Sequence, residues 1–413
     1  MKWGRRLTGI LVIALFTCVL SNDGLQSYIQ IPEQITMFES DTTNVAEKMD
    51  IKNKENINVL ENNEDSNISL EVTGFPKKQT KIEKIPDLKV IPGGDSIGVK
   101  LQSDGVMVVG FHQVLSNEER FSPAEKAGLK VGDRIIEMNG KKMNKLEDVV
   151  DELKNKDIQD NLSLKYMRKS TLHETQLTPH EKKDSYVLGA YIRNAASGVG
   201  TLTFYEPEDG KFGALGHVIA DSDTKKPVVV ENGTIMRSSV GSIQRGVNGN
   251  PGEKQATLDS DEQKLGNVTK NSSFGVFGHL KENKLNESNN DYNKPMSVGF
   301  AQEVETGPAK MLTVIEDEKV ESFDIEIVQT MPQLHAASKG MVIKVKDEEL
   351  LEKTGGIIQG MSGSPIIQKG KIVGAVTHVF VNDATSGYAC HIEWMLEEAG
   401  INTFLEKRTQ TAS

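Results

Sequence analysis

Cysteine is nearly absent from this 413-residue chain: Cys18 and Cys390 are the two it has. Cys18 lies in an N-terminal apolar run, so no disulfide forms within the body of the chain, and its domains rest on their cores alone. Cys390 reads as a small buried hydrophobe. Aromatic residues are scarce at 5%. Long hydrophobic runs are missing too: the longest, Leu7–Leu20, falls short of the roughly 20 residues that a membrane-spanning helix needs. Clustered Lys/Arg stripes with interleaved aromatics are absent, and the net charge is −11, which excludes nucleic acid as a partner. No residue cluster asks for a metal or another cofactor.

What is present begins with Met1-Lys2-Trp3-Gly4-Arg5-Arg6 ahead of Leu7–Leu20. A basic segment followed by a short apolar one is the pattern of a signal peptide or short anchor, here residues 1–21, and it addresses the chain to the bacterial export route. Leu15-Phe16-Thr17 before Cys18 is a poor match to a lipoprotein site. Residues 22–92 read as a linker with little structure, most plainly over Asn53–Asn67, although Ser27–Phe38 alternates better.

From residue 93 to 180 the pattern sharpens. Ile97–Leu101 and Gly105–Val109 read as short strands separated by a turn. Ser122-Pro123-Ala124-Glu125-Lys126-Ala127-Gly128 predicts a short helix with a Ser cap, Pro in its first turn and Gly at its end. Asn139-Gly140 marks a hairpin, and Leu146, Val149, Val150 and Leu153 fall on one helical face. The run Ser-Pro-Ala-Glu-Lys-Ala-Gly-Leu-Lys-Val-Gly-Asp-Arg-Ile-Ile-Glu-Met-Asn-Gly resembles a PDZ domain of the bacterial protease-associated kind. The resemblance implies that Ile97, Gly98, Val99 and Lys100 form the loop receiving a peptide carboxylate. The adjoining strand and the Leu146–Leu153 helix would then hold an extended peptide by strand addition.

Residues 185–405 are a series of short β-like runs broken by Gly, Asn and Pro, which predicts a barrel or sandwich. Within them, Gly360-Met361-Ser362-Gly363-Ser364-Pro365 supplies a serine on a tight turn. The N–H groups of Gly360 and Ser362 are placed to hold an oxyanion. Ser362 is preferred over Ser364 because it shares that arrangement with Gly360. A serine hydroxyl needs an imidazole to take its proton. His217, in Gly213-Ala214-Leu215-Gly216-His217, is the leading candidate, with His279 the main rival and His378 on the strand after Ser362. For the carboxylate, Asp347, Asp324, Asp221 and Asp383 all stay open; Asp347 itself reads as the cap of a short helix.

The succession of a PDZ domain, Gly-Ala-Leu-Gly-His and Thr354–Ile366, continued through Gly374–Asp383 and His391–Leu396, resembles the SpoIVB peptidase family of serine endopeptidases. That resemblance implies a mainly β chain whose PDZ domain precedes a chymotrypsin-like double β-barrel. It also implies a triad of Ser362, His217 and Asp347, with Asp324 as runner-up. Met361 stands where many two-barrel relatives carry aspartate. The implied activity is self-cleavage followed by cleavage of a membrane-bound regulator between forespore and mother cell, which triggers activation of a late sigma factor by an intramembrane protease. The implied partners are that substrate and the chain itself. A second reading, from another class, is a PDZ peptide-binding checkpoint protein whose barrel no longer cleaves.

Overall fold

The computed structural model describes residues 23–38, 57–61, 67–85, 88–116, 119–154, 161–182, 185–258, 264–281, 292–331 and 336–401. The signal or anchor expected over residues 1–21 lies outside them. The chain divides into two compact units, Met1–Leu88 and Lys89–Ser413.

The first unit corrects the expectation of an unstructured linker. Helix α1 (Asp23–Gln30) precedes a sheet of β1 (Gln34–Phe38), β2 (Ile57–Glu61), β3 (Asn67–Val72) and β4 (Lys78–Ile85), in the order β1-β4-β3-β2. Strand β1 runs parallel to β4, with Gln34 opposite Lys81, and the other pairs are antiparallel. Ile31, Ile35, Ile68, Leu70 and Val72 form its core, and Tyr28 stacks on Phe75 at 5.2 Å. The apolar residues are too thinly spread to signal this in sequence, yet the sheet gathers them on one face.

The second unit opens with β5 (Lys89–Pro92) and β6 (Ser96–Phe111). The two strands expected on either side of a turn at Ser103–Gly105 are one strand of 16 residues. Past it come β7 (Val114–Ser116), β8 (Glu119–Phe121), α2 (Pro123–Lys126), β9 (Arg134–Met138), β10 (Lys141–Lys142), α3 (Leu146–Lys154), β11 (Leu162–Arg168), β12 (Thr171–Leu177), β13 (His180–Lys182) and β14 (Ser185–Val187). The local chemistry here is as the sequence predicts. Ser122 caps α2 by accepting from the Glu125 N–H, with Pro123 in the first turn. Asn139 and Gly140, with φ of 48° and 80°, make the two-residue turn between β9 and β10. Val149 of α3 joins Leu129, Ile135, Met138, Leu162 and Leu164 in a dry core.

The chain then returns along β6. Strand β15 (Ala190–Tyr205) pairs with it antiparallel from Ala190 opposite Phe111 to Thr201 opposite Ser96. Strands β16 (Lys211–Leu215), β17 (Val230–Gln244), β18 (Glu253–Leu258), β19 (Lys264–Ser272) and β20 (Gly275–Leu280) follow. The pairings β6–β17–β19–β20–β16–β15–β6 close a first barrel around Ile97, Val99, Leu101, Phe212 and Ile235, with β18 on β17 and the short β21 (Met296–Ser297) on β5. A second closed barrel runs β22-β23-β24-β27-β26-β25. Its strands are β22 (Gly307–Val314), β23 (Val320–Thr330), β24 (Met341–Val345), β25 (Pro365–Gln368), β26 (Lys371–Phe380) and β27 (Asp383–His391). Helix α4 (Glu348–Thr354) follows β24 and α5 (Ile392–Glu398) ends the described fold.

Two expectations change as a result. The PDZ region is an insertion between β6 and β15, so barrel strands begin at Ser96 instead of at 185. Furthermore, Ile97–Lys100 cannot be a carboxylate-binding loop. They sit mid-strand, opposite Gly200–Ser197 on one edge and Arg237–Thr234 on the other, with Ile97 and Val99 buried in the barrel core. A strand paired on both edges has no N–H groups left to offer a peptide.

One buried ion pair holds the inserted region. Arg168 donates to both oxygens of the fully buried Asp133, at 2.9 and 2.6 Å, and Asp133 also accepts from the Lys130 N–H. Arg168→Met leaves that carboxylate desolvated and is expected to cost about 3 kcal/mol in a denaturant melt. Lys165→Met, which breaks the more exposed pair with Glu137, moves the melt far less than Arg168→Met does.

Candidate active site

The serine turn lies between the two barrels. Gly360 and Gly363 both adopt φ of +93°, and a Cβ on Gly363 would fall 2.2 Å from the Thr201 carbonyl oxygen and 2.4 Å from the Leu215 nitrogen. Only glycine admits that contact, which seats the turn of the second barrel against the first. Within the turn, the N–H groups of Met361, Gly363 and Ser364 donate to Ile358, Val376 and Met361 carbonyls. Among the described residues, no backbone hydrogen bond engages the N–H of Gly360 or of Ser362. The turn's carbonyls are held from β15. Thr201 Oγ1 donates to Gly360 O at 2.8 Å, Thr201 N–H to Ser362 O at 2.9 Å, and Thr203 Oγ1 to Gly363 O at 2.7 Å.

Ser362 is half-buried and its Oγ donates to the Thr377 carbonyl at 3.1 Å, whereas Ser364 is fully buried. Of the two hydroxyls, only Ser362 borders the surface. Met361 is fully buried in the second barrel's apolar core, where an aspartate would be left without solvent.

His217 reaches the same junction from the first barrel. Strand β16 ends at Leu215 in the left-handed region, with φ of 73°, a conformation that costs a non-glycine residue about 1–2 kcal/mol. Gly216 follows at 68°, so close to β26 that a Cβ would lie 3.0 Å from the Val376 carbonyl oxygen. His217 Nδ1 is 3.0 Å from the Val218 carbonyl oxygen, and its ring centroid is 5.4 Å from that of His378. Partial desolvation, then the neighbouring His217 and Lys339, hold His378 below the usual imidazole pKa. It is thus neutral at pH 7 and adds no charge beside His217. Downstream, Asn271 clamps the loop: its Nδ2 donates to the Ile219 and Val228 carbonyls and its Oδ1 accepts from the Ile219 N–H. Nothing in the sequence flags Asn271, because its role exists only across a 52-residue separation. The rival His279 lies at the other end of the β16–β20 pairing, opposite Lys211.

Asp347 is not brought to His217. It caps α4, with Oδ1 accepting from the Leu350 N–H at 3.0 Å and Oδ2 from the Asp324 N–H at 3.3 Å. Asp324 lies on β23 and pairs with Lys310 of β22. In the ring of six, β23 stands across the barrel from β26, which carries Thr377 and His378. The barrel core thus separates both carboxylates from the imidazole. Asp221 accepts from Asp223, Thr224 and Arg193, and Asp383 from Thr385 and Ser386. Among the described residues, the partner at the His217 ring nitrogen is the Val218 carbonyl. Burial pushes the Cys390 thiol up to about 12, so it is inert as a nucleophile.

Two barrels meeting at a serine turn and a histidine, with a PDZ domain inserted in the first, define a serine endopeptidase of chymotrypsin-like architecture. The SpoIVB peptidase S55 family model matches residues 184–396 and a PDZ domain model residues 96–178. The chain belongs to the SpoIVB peptidase S55 family. No curated protein matches it. Among solved structures it is similar to the PDZ domain of the SdrC-like protein Lmo2051 from Listeria monocytogenes, at 23% identity over 22% of this chain and 87% of that one, TM-score 0.18. It is also similar to the active form of the Rv3671c protease from M. tuberculosis, at 15% identity over 50% and 76%, TM-score 0.27. The HtrA-type protease AlgW with a decapeptide matches at 12% identity over 53% and 54%, TM-score 0.28. The family assignment rests on the sequence match and not on these likenesses.

A lysine lies buried behind the serine turn. Lys254 of β18 runs its stem along Gly360, its N–H donates to the Gln359 carbonyl, and its Nζ donates to Thr313 Oγ1 at 2.8 Å. Burial lowers its pKa from the ordinary 10.5 to about 7. Between those values the unfolded chain binds the extra proton, so folding stability rises with pH across the window; below about 7 both states are protonated and the burial cost is paid in full. Denaturant midpoints measured from pH 7 to 10 are expected to climb in the wild type and to climb less in Lys254→Met.

Proposed function

We propose that this chain is an exported sporulation-signalling peptidase that cleaves itself and then a membrane-bound regulatory protein, in the space between forespore and mother cell. The observation that carries the catalytic part is that Ser362 Oγ rests on the Thr377 carbonyl while His217 packs on the adjoining His378 at 5.4 Å, beside two N–H groups that no backbone bond engages. Export is supported by Lys2–Arg6 and the apolar run behind them. Among the described residues, no helix is long and apolar enough to cross a membrane.

In the reaction, Ser362 Oγ turns from the Thr377 carbonyl and attacks the scissile carbon while His217 takes its proton. The Gly360 and Ser362 N–H groups receive the oxyanion. The C–N bond breaks as His217 returns the proton to the departing amine. Water then attacks the acyl-enzyme with His217 again as base, which regenerates the Ser362 hydroxyl. The Val218 carbonyl fixes the resting tautomer of His217, with the proton on Nδ1.

For the PDZ region the peptide site moves. The first half of β15 lines β6, and Tyr186, Ala190 and Ile192 gather with Leu146 and Leu153 of α3 around the domain core. An extended substrate peptide adds to β15 beside α3, its carboxylate at Val187–Ala190, where Gly189 turns the backbone at φ of 70°.

N-terminal sequencing of fragments from wild type and Ser362→Ala tests the reading. Wild type yields a processed N-terminus, and the variant stays intact and resists a fluorophosphonate probe. Equal labelling of both would remove Ser362 as nucleophile. Replacing His217 with alanine lowers turnover by about 10⁴. Asp347→Ala costs about 1 kcal/mol of stability through the lost cap. Asp347→Asn retains the cap and processes normally; a collapse of turnover with an unchanged melt would assign Asp347 a part in the chemistry.

A further inference from the structure

The oxyanion turn is glycine-framed, and this creates a problem that the turn alone does not solve. With Gly360 and Gly363 both at φ of +93°, peptide planes on either side of Ser362 meet little steric resistance to flipping. A flip of the Gln359–Gly360 peptide would point the Gln359 carbonyl, in place of the Gly360 N–H, at the developing negative charge; the Lys254 N–H holds that carbonyl at 3.0 Å. The peptides that flank the two donor N–H groups are fixed from a single strand. Three carbonyls of the turn, those of Gly360, Ser362 and Gly363, accept hydrogen bonds from Thr201 and Thr203 of β15. Both threonines are fully buried, so a carbonyl that swung away would lose its partner with no water to replace it.

The same strand has a second allegiance. Its first half, Ala190–Arg193, is paired with Phe111–Met107 of β6 beside the PDZ core, and Ile192 rests on that core. Its second half pairs with Gln102–Ser96 in the first barrel, and Leu202, Phe204 and Tyr205 continue onto β16. One strand therefore runs from the PDZ core to the nucleophile turn.

We propose that Thr201 and Thr203 are positioning residues for the oxyanion turn, and that through β15 they tie its geometry to the packing of the PDZ region. The inference rests on the serine-peptidase reading. It assigns the threonines no contact with substrate: they fix the peptide planes that follow the Gly360 and Ser362 residues, and through those planes they limit how far the Gly360 and Ser362 N–H groups can turn from the reacting carbonyl. What it adds is a route by which strand addition at Ala190–Arg193 changes turnover without touching the active site, since a peptide seated there bears on the strand that holds the turn.

The full-length protein tests both parts. Thr203→Val removes the hydroxyl at nearly constant volume. Because a slightly misaimed oxyanion donor affects mainly the transition state, kcat falls by about tenfold or more while KM stays within about twofold. Thr203→Ser, which restores the donor, recovers most of the rate, and Thr201→Val behaves like Thr203→Val. A rise in KM at constant kcat, unchanged kinetics, or failure of Thr203→Ser to rescue in a normally melting protein overturns the positioning role. For the tie to the PDZ region, Ile192→Ala loosens the first half of β15. It is expected to lower kcat about threefold in the wild type and much less in Thr203→Val, a non-additive cycle. Strict additivity overturns the tie. Fluorophosphonate labelling of wild type at Ser362 is read alongside: if it is absent, the peptidase reading itself falls. If it is present while the threonine variants match wild type, only this inference falls.

Discussion

The backbone contact between the first barrel and the Ser362–Gly363 turn is the constraint on which the site depends. The Thr201 N–H reaches the Ser362 carbonyl at 2.9 Å, and Gly363 lies so near Leu215 that no side chain fits between them. This approach seats the serine turn of one barrel against the strand of the other that leads into His217. It also excludes water from behind the turn, so that the turn's carbonyls must find partners within the protein, and they do so on β15. A strained Leu215 and a Gly216 pressed against Val376 bring His217 to the same place. Strain at such a position is tolerated because the surrounding barrels over-determine it.

The inserted PDZ region follows from the same strand pairing. Strands β6 and β15 are each 16 residues long, and each spans both the first barrel and the inserted region. The insertion is consequently no bead on a linker. Its sheet and the barrel share backbone, and a load on one is borne by the other. The buried Asp133–Arg168 pair and the dry core around α3 keep the insertion rigid enough for that sharing to matter.

Reading residues locally succeeded where the chemistry is local. The Ser122 cap, the Asn139-Gly140 turn and the capping pattern at Asp347 were all legible, because each depends on a few adjacent side chains. The Gly-framed Ser362 and Gly-framed His217 were legible for a similar reason: tight turns demand glycine. For Asp347 two readings competed. The local one, a helix cap, agrees with the structure, while the triad position implied by family resemblance does not meet His217. The loop assigned to Ile97–Lys100 failed differently. A Gly-containing apolar tetrad looks the same whether it turns or runs mid-strand, and only the partner strands Ser197–Gly200 and Thr234–Arg237 decide which.

The sequence by itself determined the class of this protein: a β-rich chain with a PDZ signature, and a serine and a histidine each set in a glycine turn. Those features are written in short windows because turns, caps and nucleophile elbows are made by neighbours. The tertiary structure decided what spans long separations. It chose which strand closes the first barrel, and that a carboxylate fifteen residues ahead of the serine stands across a barrel from the imidazole. It also revealed that Thr201 and Thr203, some 160 residues away, hold the turn in shape. Such pairings carry no local signal, since a threonine in a β-strand looks alike whether it faces solvent, core or catalytic backbone.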